Sequence, residues 1–195
     1  MDNLPLLFEH MIAKLKNGLS KELTYHSLEH TLDVYEQSQN IAREENITDV
    51  EKLYLLKVAA LYHDSGFLHI YKGHEEEGCK LAMKELPGYG LNEEQIEIVC
   101  GLVRATKLPQ TPRNHLEEVI CDADLDYLGR DDYVEISNHL YSEFLREGYV
   151  KNDEDWLKMQ ISFFESHHYF TKWSRENRDP VKQQRLQMLK ASRQV

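Results

Sequence analysis

The segment Leu53-Tyr54-Leu55-Leu56-Lys57-Val58-Ala59-Ala60-Leu61-Tyr62 is apolar on nearly every side when wound as a helix of about 3.6 residues per turn. A helix of that kind is stable only where other elements cover most of its circumference. The remaining sequence supplies helical cover. Asn92 opens a segment with Ile96, Val99 and Val103 in helical phase, and Asn114 opens another carrying Leu116, Val119, Ile120 and Ala123. Toward the C-terminus Trp156, Met159, Phe163, Phe164, His167 and Phe170 form one stripe at helical spacing. Strict alternation of apolar and polar residues, the mark of a half-buried strand, is nowhere sustained. The expectation is an all-α chain, a compact helical bundle of seven or eight helices.

The breaks agree with this reading. Leu86–Gly90 and Lys107–Pro112 hold clustered Gly and Pro and are expected as loops; Gly129 and Gly148 mark helix ends. Thr48 and Glu51 have the spacing of a capping box before the apolar helix. With 195 residues, 41% of them hydrophobic, the chain is expected to form a single domain over 1–195, with its core at about 20–130 and further helices over 131–195. Cys79, Cys100 and Cys121 are far apart and form no Cys-x-x-Cys pair, which excludes a zinc knuckle and a disulfide framework. The first ten residues lack the basic and long apolar regions of a signal peptide, and no apolar run approaches a membrane span, so a cytoplasmic chain is expected. Asp and Glu number 34 against 23 Lys and Arg, a net charge of -11, which argues against nucleic-acid or anionic-membrane partners.

Ten histidines outnumber six phenylalanines, and three fragments concentrate the chemistry. In Tyr25-His26-Ser27-Leu28-Glu29-His30 the two histidines are four apart and would share a helix face about 6 Å apart. His30 continues inward through Val34, Gln37 and Ile41. His63-Asp64 ends the apolar helix, which Ser65-Gly66 then stops. A carboxylate there faces the negative end of the helix dipole, at a cost of about 0.3–1 kcal/mol, and follows a dehydrated run. A nearby cation offsets both penalties. In Asp122-Ala123-Asp124-Leu125-Asp126 at most one or two acids of a helix face the core, the rest being solvated, and an inward one needs a partner. Each fragment alone reads equally well as a core histidine or a surface acid. Together, imidazoles and carboxylates suit a divalent metal with open positions.

The order His…His-Asp…Asp on an all-α chain resembles the HD-domain superfamily of metal-dependent phosphohydrolases, over about residues 20–130. The resemblance implies His30, His63, Asp64 and Asp124 as metal ligands. The run Tyr25–Val34 is also similar to a helix of cyclic-nucleotide phosphodiesterases, in which the first histidine is the general acid. Carried over, His26 is the proton donor, acting in catalysis beside Asp64. The form Ala123-Asp124-Leu125 agrees with both groups and selects Asp124 over Asp122. No Gly-Tyr-Pro follows a histidine pair, and the acidic pair of alarmone hydrolases is absent. Two-metal relatives carry additional histidines after the His-Asp pair. Here His74 opens such a helix, but Glu93 to Thr106 contains none. One divalent ion (Mn, Fe, Co, Ni, Zn or Mg) is expected, two being the alternative.

The implied reaction is hydrolysis of a phosphate ester of a small metabolite, a nucleotide in the first instance, by a metal-activated water with His26 protonating the leaving oxygen. Arg104, Lys107 and His74 are the expected phosphate-binding residues, although Arg104 and Lys107 serve equally well as compensation for a helix dipole. The competing classes are a di-iron oxygenase, which needs more nitrogen ligands, and a non-catalytic metal-bound nucleotide sensor, which has no need of His26. His167 and His168 are expected in packing or at the pocket mouth, and His69 on or over the site. His10, His115 and His139 read as surface residues without chemical neighbours.

Overall fold

The computed structural model describes residues 3–192. The described residues form ten α-helices and no strand: α1 (Leu4–Gly18), α2 (Leu28–Glu44), α3 (Val50–Tyr62), α4 (His74–Glu85), α5 (Glu93–Ala105), α6 (His115–Asp124), α7 (Tyr133–Arg146), α8 (Asp153–Ser166), α9 (Lys172–Asn177) and α10 (Asp179–Ser192). Short 3₁₀ turns occupy Ser65–Leu68, Leu86–Tyr89 and Asp126–Gly129. The all-α expectation holds, and the helices outnumber the seven or eight expected because short connections split the chain more finely. None of the helices is long and apolar enough to cross a membrane.

The apolar segment behaves as its composition requires. Most of α3 is buried, and α1, α2, α4, α5 and α6 all touch it. Val34 and Ile41 of α2, Val99 and Val103 of α5, and Val119 and Ile120 of α6 are wholly excluded from water and close the core around it. Each such side chain contributes about 1.5–3 kcal/mol relative to exposure. Cys79, Cys100 and Cys121 are free thiols in the interior.

The caps set where the functional residues fall. Ser27 caps α2, accepting from the His30 amide, so the helix begins at Leu28. His26 therefore lies in the bend before α2, where the Ser27 amide donates to the Tyr25 carbonyl, and not on a shared helical face with His30. Asp49 caps α3, accepting from the Glu51 and Lys52 amides. The expected box at Thr48 is displaced by one residue because the aspartate carboxylate is the acceptor within reach. The full reciprocal box occurs at Asn92 and Gln95, before α5. Asn114 caps α6 as its position suggests. Leu86–Tyr89 winds into a 3₁₀ turn instead of an open loop. The aromatic stripe of α8 stops at Ser166, since His167 turns extended, and Phe170 leaves the helix.

The C-terminal helices are tied to the end of α6 by two buried acids. Asp122 is fully buried and accepts from the Phe170 amide at 2.9 Å, the Thr171 amide at 2.8 Å and the Thr171 hydroxyl at 2.7 Å. Asp126, also fully buried, pairs with Arg178 Nε at 2.7 Å and Arg130 Nη1 at 3.4 Å. The expectation that the acids flanking Asp124 are solvated is thus corrected. Asp122 is still on α6, where the chain at Phe170 and Thr171 packs over its face and supplies donors, whereas Asp126 lies beyond the helix, in the 3₁₀ turn, where helical phase no longer sets its direction. Asp122→Ala is expected to cost about 3 kcal/mol, the order for charge-assisted hydrogen bonds lost with buried donors stranded. Urea unfolding checks this, and a loss below about 1 kcal/mol would contradict the assigned role.

Candidate metal centre and active site

Three helix ends deliver four side chains to one point. His30 stands in the first turn of α2, its ring 4.6 Å from that of Tyr25. His63 caps the C-terminus of α3 and is wholly buried. Its Nδ1 lies 2.8 Å from the Ala60 carbonyl, to which it donates, so in the neutral ring the Nε2 lone pair faces the centre. Asp64 follows where the chain leaves α3, and Asp124 is the last residue of α6.

His30 Nε2 is 3.1 Å from Asp124 Oδ1, 3.4 Å from His63 Nε2 and 3.5 Å from Asp64 Oδ2. His63 Nε2 is 3.2 Å from Asp64 Oδ2 and 3.6 Å from Asp124 Oδ1. Ligand atoms about 2.1 Å from one divalent ion stand about 3.0–3.4 Å apart along the edges of its coordination shell, close to these separations. His30, His63 and Asp124 each offer a ligand atom within 4.8 Å of the others. Asp64 Oδ2 is buried without a hydrogen-bond partner. An orphaned carboxylate oxygen beside a correctly turned imidazole is what a cation satisfies, and the Ala60 carbonyl orients His63 as metal-binding histidines are usually oriented. The residues fit a divalent ion.

Electrostatics point the same way. Burial lowers the proton affinity of His63, but the Asp64 charge, with lesser help from Asp124 and the Ala60 carbonyl, outweighs it and pushes the pKa up to about 9. Burial favours a neutral Asp64, yet the adjacent His63 charge holds its carboxyl well below the usual range. Without metal, a proton stands in for the cation.

His74, the first residue of α4, points its Nε2 to within 3.4 Å of Asp64 Oδ1, the oxygen turned away from His30 and His63. Its Nδ1 is 3.1 Å from the Tyr71 carbonyl, and its ring stacks on Phe67 at 3.9 Å. Burial opposes protonation of His74, but Asp64 prevails and raises its pKa. His26 stacks on Phe67 at 4.2 Å, and its Nδ1 lies 2.5 Å from Glu143 Oε1. Glu143 is almost wholly buried. Its carboxylate also accepts from the Tyr25 amide at 2.9 Å, the His26 amide at 3.2 Å and the Tyr71 hydroxyl at 2.7 Å. Burial disfavours the charge on Glu143, but these donors, His26 foremost, hold its pKa below the ordinary value. Sequence reasoning missed Glu143. Its only signal is a charge in phase with Ile136 and Leu140 on the apolar stripe of α7.

A cavity of about 680 Å³ opens over His26, Asp64, His74 and Asp124, with Lys72 and Lys107 on its wall. Arg104 is a correction. Its Nε binds Glu76 at 2.9 Å and its Nη1 binds Glu97 at 3.2 Å, and it does not line the cavity. The acids of α4 and α5 claim it before the helix end turns Thr106 and Lys107 inward. His69 is exposed and also off the wall. His167 and His168 line a separate pocket of about 100 Å³. His10 and His115 do have neighbours: Glu85 at 3.5 Å for His10, and Glu118 at 2.9 Å for His115.

Two outcomes are expected. His63→Ala abolishes bound metal in elemental analysis, whereas His74→Ala retains one ion per chain. In chelator, His63 contributes stability that is complete below its unfolded pKa of 6.5 and is lost as pH rises through about 9. The urea midpoint of the metal-free protein should therefore fall across that window, and metal should flatten the fall. A flat profile in chelator would contradict the assigned electrostatics.

Comparison with curated proteins finds no match. Two solved structures share the fold. One is a predicted HD superfamily hydrolase from an uncultured Thermotogales bacterium, 19% identical, with a TM-score of 0.63 over 94% of this chain and 89% of that one. The other is a Listeria innocua protein, 17% identical, with a TM-score of 0.59 over 96% of this chain and 97% of that one. The HD domain matches residues 27–127, just over half the chain. That span runs from the cap of α2 into the turn after α6 and contains His30, His63, Asp64 and Asp124, so the chain belongs to the HD domain family.

Proposed function

We propose that the chain is a metal-dependent phosphohydrolase acting on a phosphate ester of a small metabolite, with nucleotides as the first candidates. The observation that carries this reading is His26, clamped by buried Glu143 and facing the same cavity as Asp64 and Asp124. A divalent ion held by His30, His63, Asp64 and Asp124 would supply Lewis acidity and lower the pKa of a water.

The protein's own groups do the rest. Asp64 and Asp124 together would balance a doubly charged ion, so the loaded centre would not repel an anionic phosphate. Lys72 and Lys107, on the cavity wall, face the phosphate charge. As the bond from phosphorus to the leaving oxygen breaks, its electron pair stays on that oxygen, which takes a proton from His26. With Nδ1 held against Glu143, Nε2 is the donating atom. Glu143 stabilises the imidazolium before transfer and fixes the ring. A proton from the attacking water restores the balance.

His74, beside Asp64, raises a second reading, in which these two residues would help to hold a second ion. One ion is the default, since α5 contributes no histidine.

The test is a phosphate-release screen over nucleotides and sugar phosphates with metal-loaded protein. His26→Ala should keep its metal and lose about 10²–10⁴-fold in kcat, the usual range for a lost general acid. Equal turnover in the two proteins would remove His26 from the mechanism. Silence from the metal-loaded wild type across the screen would favour a sensor.

A further inference from the structure

The charges on the cavity wall are segregated. The charged lining residues, Asp64, Lys72, Glu75, Lys107 and Asp124, all come from the chain up to the end of α6, while every lining residue from Leu125 to Phe164 is uncharged. The uncharged part is a chamber between α7 and α8. α7 turns Ser137, Leu140 and Phe144 toward it, and α8 turns Trp156, Met159, Gln160 and Phe163. These are stripes at helical spacing, yet Leu140, Phe144, Trp156, Met159 and Phe163 are only half-buried, because the space between them is open.

Resting on the proposed phosphohydrolase activity, we infer that this chamber binds the aromatic, uncharged portion of the ester's leaving group and so selects aromatic over aliphatic phosphate esters. Three observations converge. The first is direction. His26 is held from α7 through Glu143, so the leaving oxygen that it protonates lies on the α7 side, and the alcohol portion continues between α7 and α8. The second is the wall chemistry. Phe144 lies 5.2 Å from Tyr149 and 6.0 Å from Trp156, ring centre to ring centre, and Tyr149 lies 5.8 Å from Tyr71. These aromatic faces favour a flat ring, and no charged group there would hold a charged one. The third is a polar spot within the apolar wall. The Gln160 amide donates to Tyr133 Oη at 2.6 Å and to Ser137 Oγ at 2.9 Å. Ser137 is also hydrogen-bonded to Tyr133, which leaves the Tyr133 hydroxyl hydrogen to offer a ring heteroatom. A cavity of about 680 Å³ is the size of an ordinary small-molecule site.

The experiment compares kcat/KM for 1-naphthyl phosphate and a nucleoside 5′-monophosphate with those for glycerol 2-phosphate and ribose 5-phosphate. It uses the metal-loaded wild type, Leu140→Trp, which fills the chamber, and Met188→Ala on the exposed surface. The aromatic esters should be preferred at least tenfold by the wild type and Met188→Ala, and the preference should collapse toward unity in Leu140→Trp. Equal kcat/KM for aromatic and aliphatic esters in the wild type would overturn the inference. Calorimetric titration with 1-naphthol separates the two claims and covers a variant of low activity. If no ester is hydrolysed but 1-naphthol binds the wild type and not Leu140→Trp, the chamber stands and the hydrolase reading falls. If esters are hydrolysed and 1-naphthol binds both proteins equally, the chamber falls alone.

Discussion

The structure is organised around a buried carboxylate that its own fold leaves unsatisfied. Asp64 stands at the C-terminal end of the most enclosed helix, where the dipole opposes its charge, and its Oδ2 has no hydrogen-bond partner. A lone carboxylate in such a place is costly, and the surroundings supply positive or proton-bearing groups on both sides. His63 and His30 face Oδ2, and His74 faces Oδ1. In the metal-free protein a proton on His63 meets the need, and with Asp124 in place the same group could hold a divalent cation.

The packing of α3 makes this possible. Because α3 is covered by five other helices, its C-terminal residue is fixed to the accuracy of the core, and His63 inherits that accuracy through its bond to Ala60. α2 and α6 lie against each other and against α3, so His30 and Asp124 meet beside His63. Asp122 and Asp126 then pull α9 and α10 onto the end of α6, and the same half of the molecule carries α7. Through Glu143, α7 sets His26. The acid that orients His26 therefore comes from outside the HD-matched span, and His26 itself lies just before it.

Much of this was legible in the residues. The all-round apolar run announced a central helix, and the types and order of His30, His63, Asp64 and Asp124 announced a mixed nitrogen and oxygen centre. What escaped was what depends on an atom's reach or on distant contacts. Ser27 rather than a longer helix decides that His26 stands off α2. Asp49 takes the cap from Thr48 by one residue of geometry. Asp122 looked solvated because the donors that cover it, at Phe170 and Thr171, are 48 and 49 residues away, and Asp126 because helical phase was extended past the point where the helix tightens. Glu143 is separated from His26 by 117 residues, and a single acid on an amphipathic stripe carries little information without its partner. Arg104 was placed correctly along the chain and wrongly in space, since Glu76 and Glu97 compete for it.

The central claim is that two imidazoles and two carboxylates from three helix ends hold one cation. The most direct measurement is anomalous diffraction from crystals of the Mn-loaded protein. The account predicts an anomalous peak about 2.0–2.3 Å from His30 Nε2, His63 Nε2 and one oxygen each of Asp64 and Asp124. A peak at a different set of residues, or none at saturating metal, would contradict it.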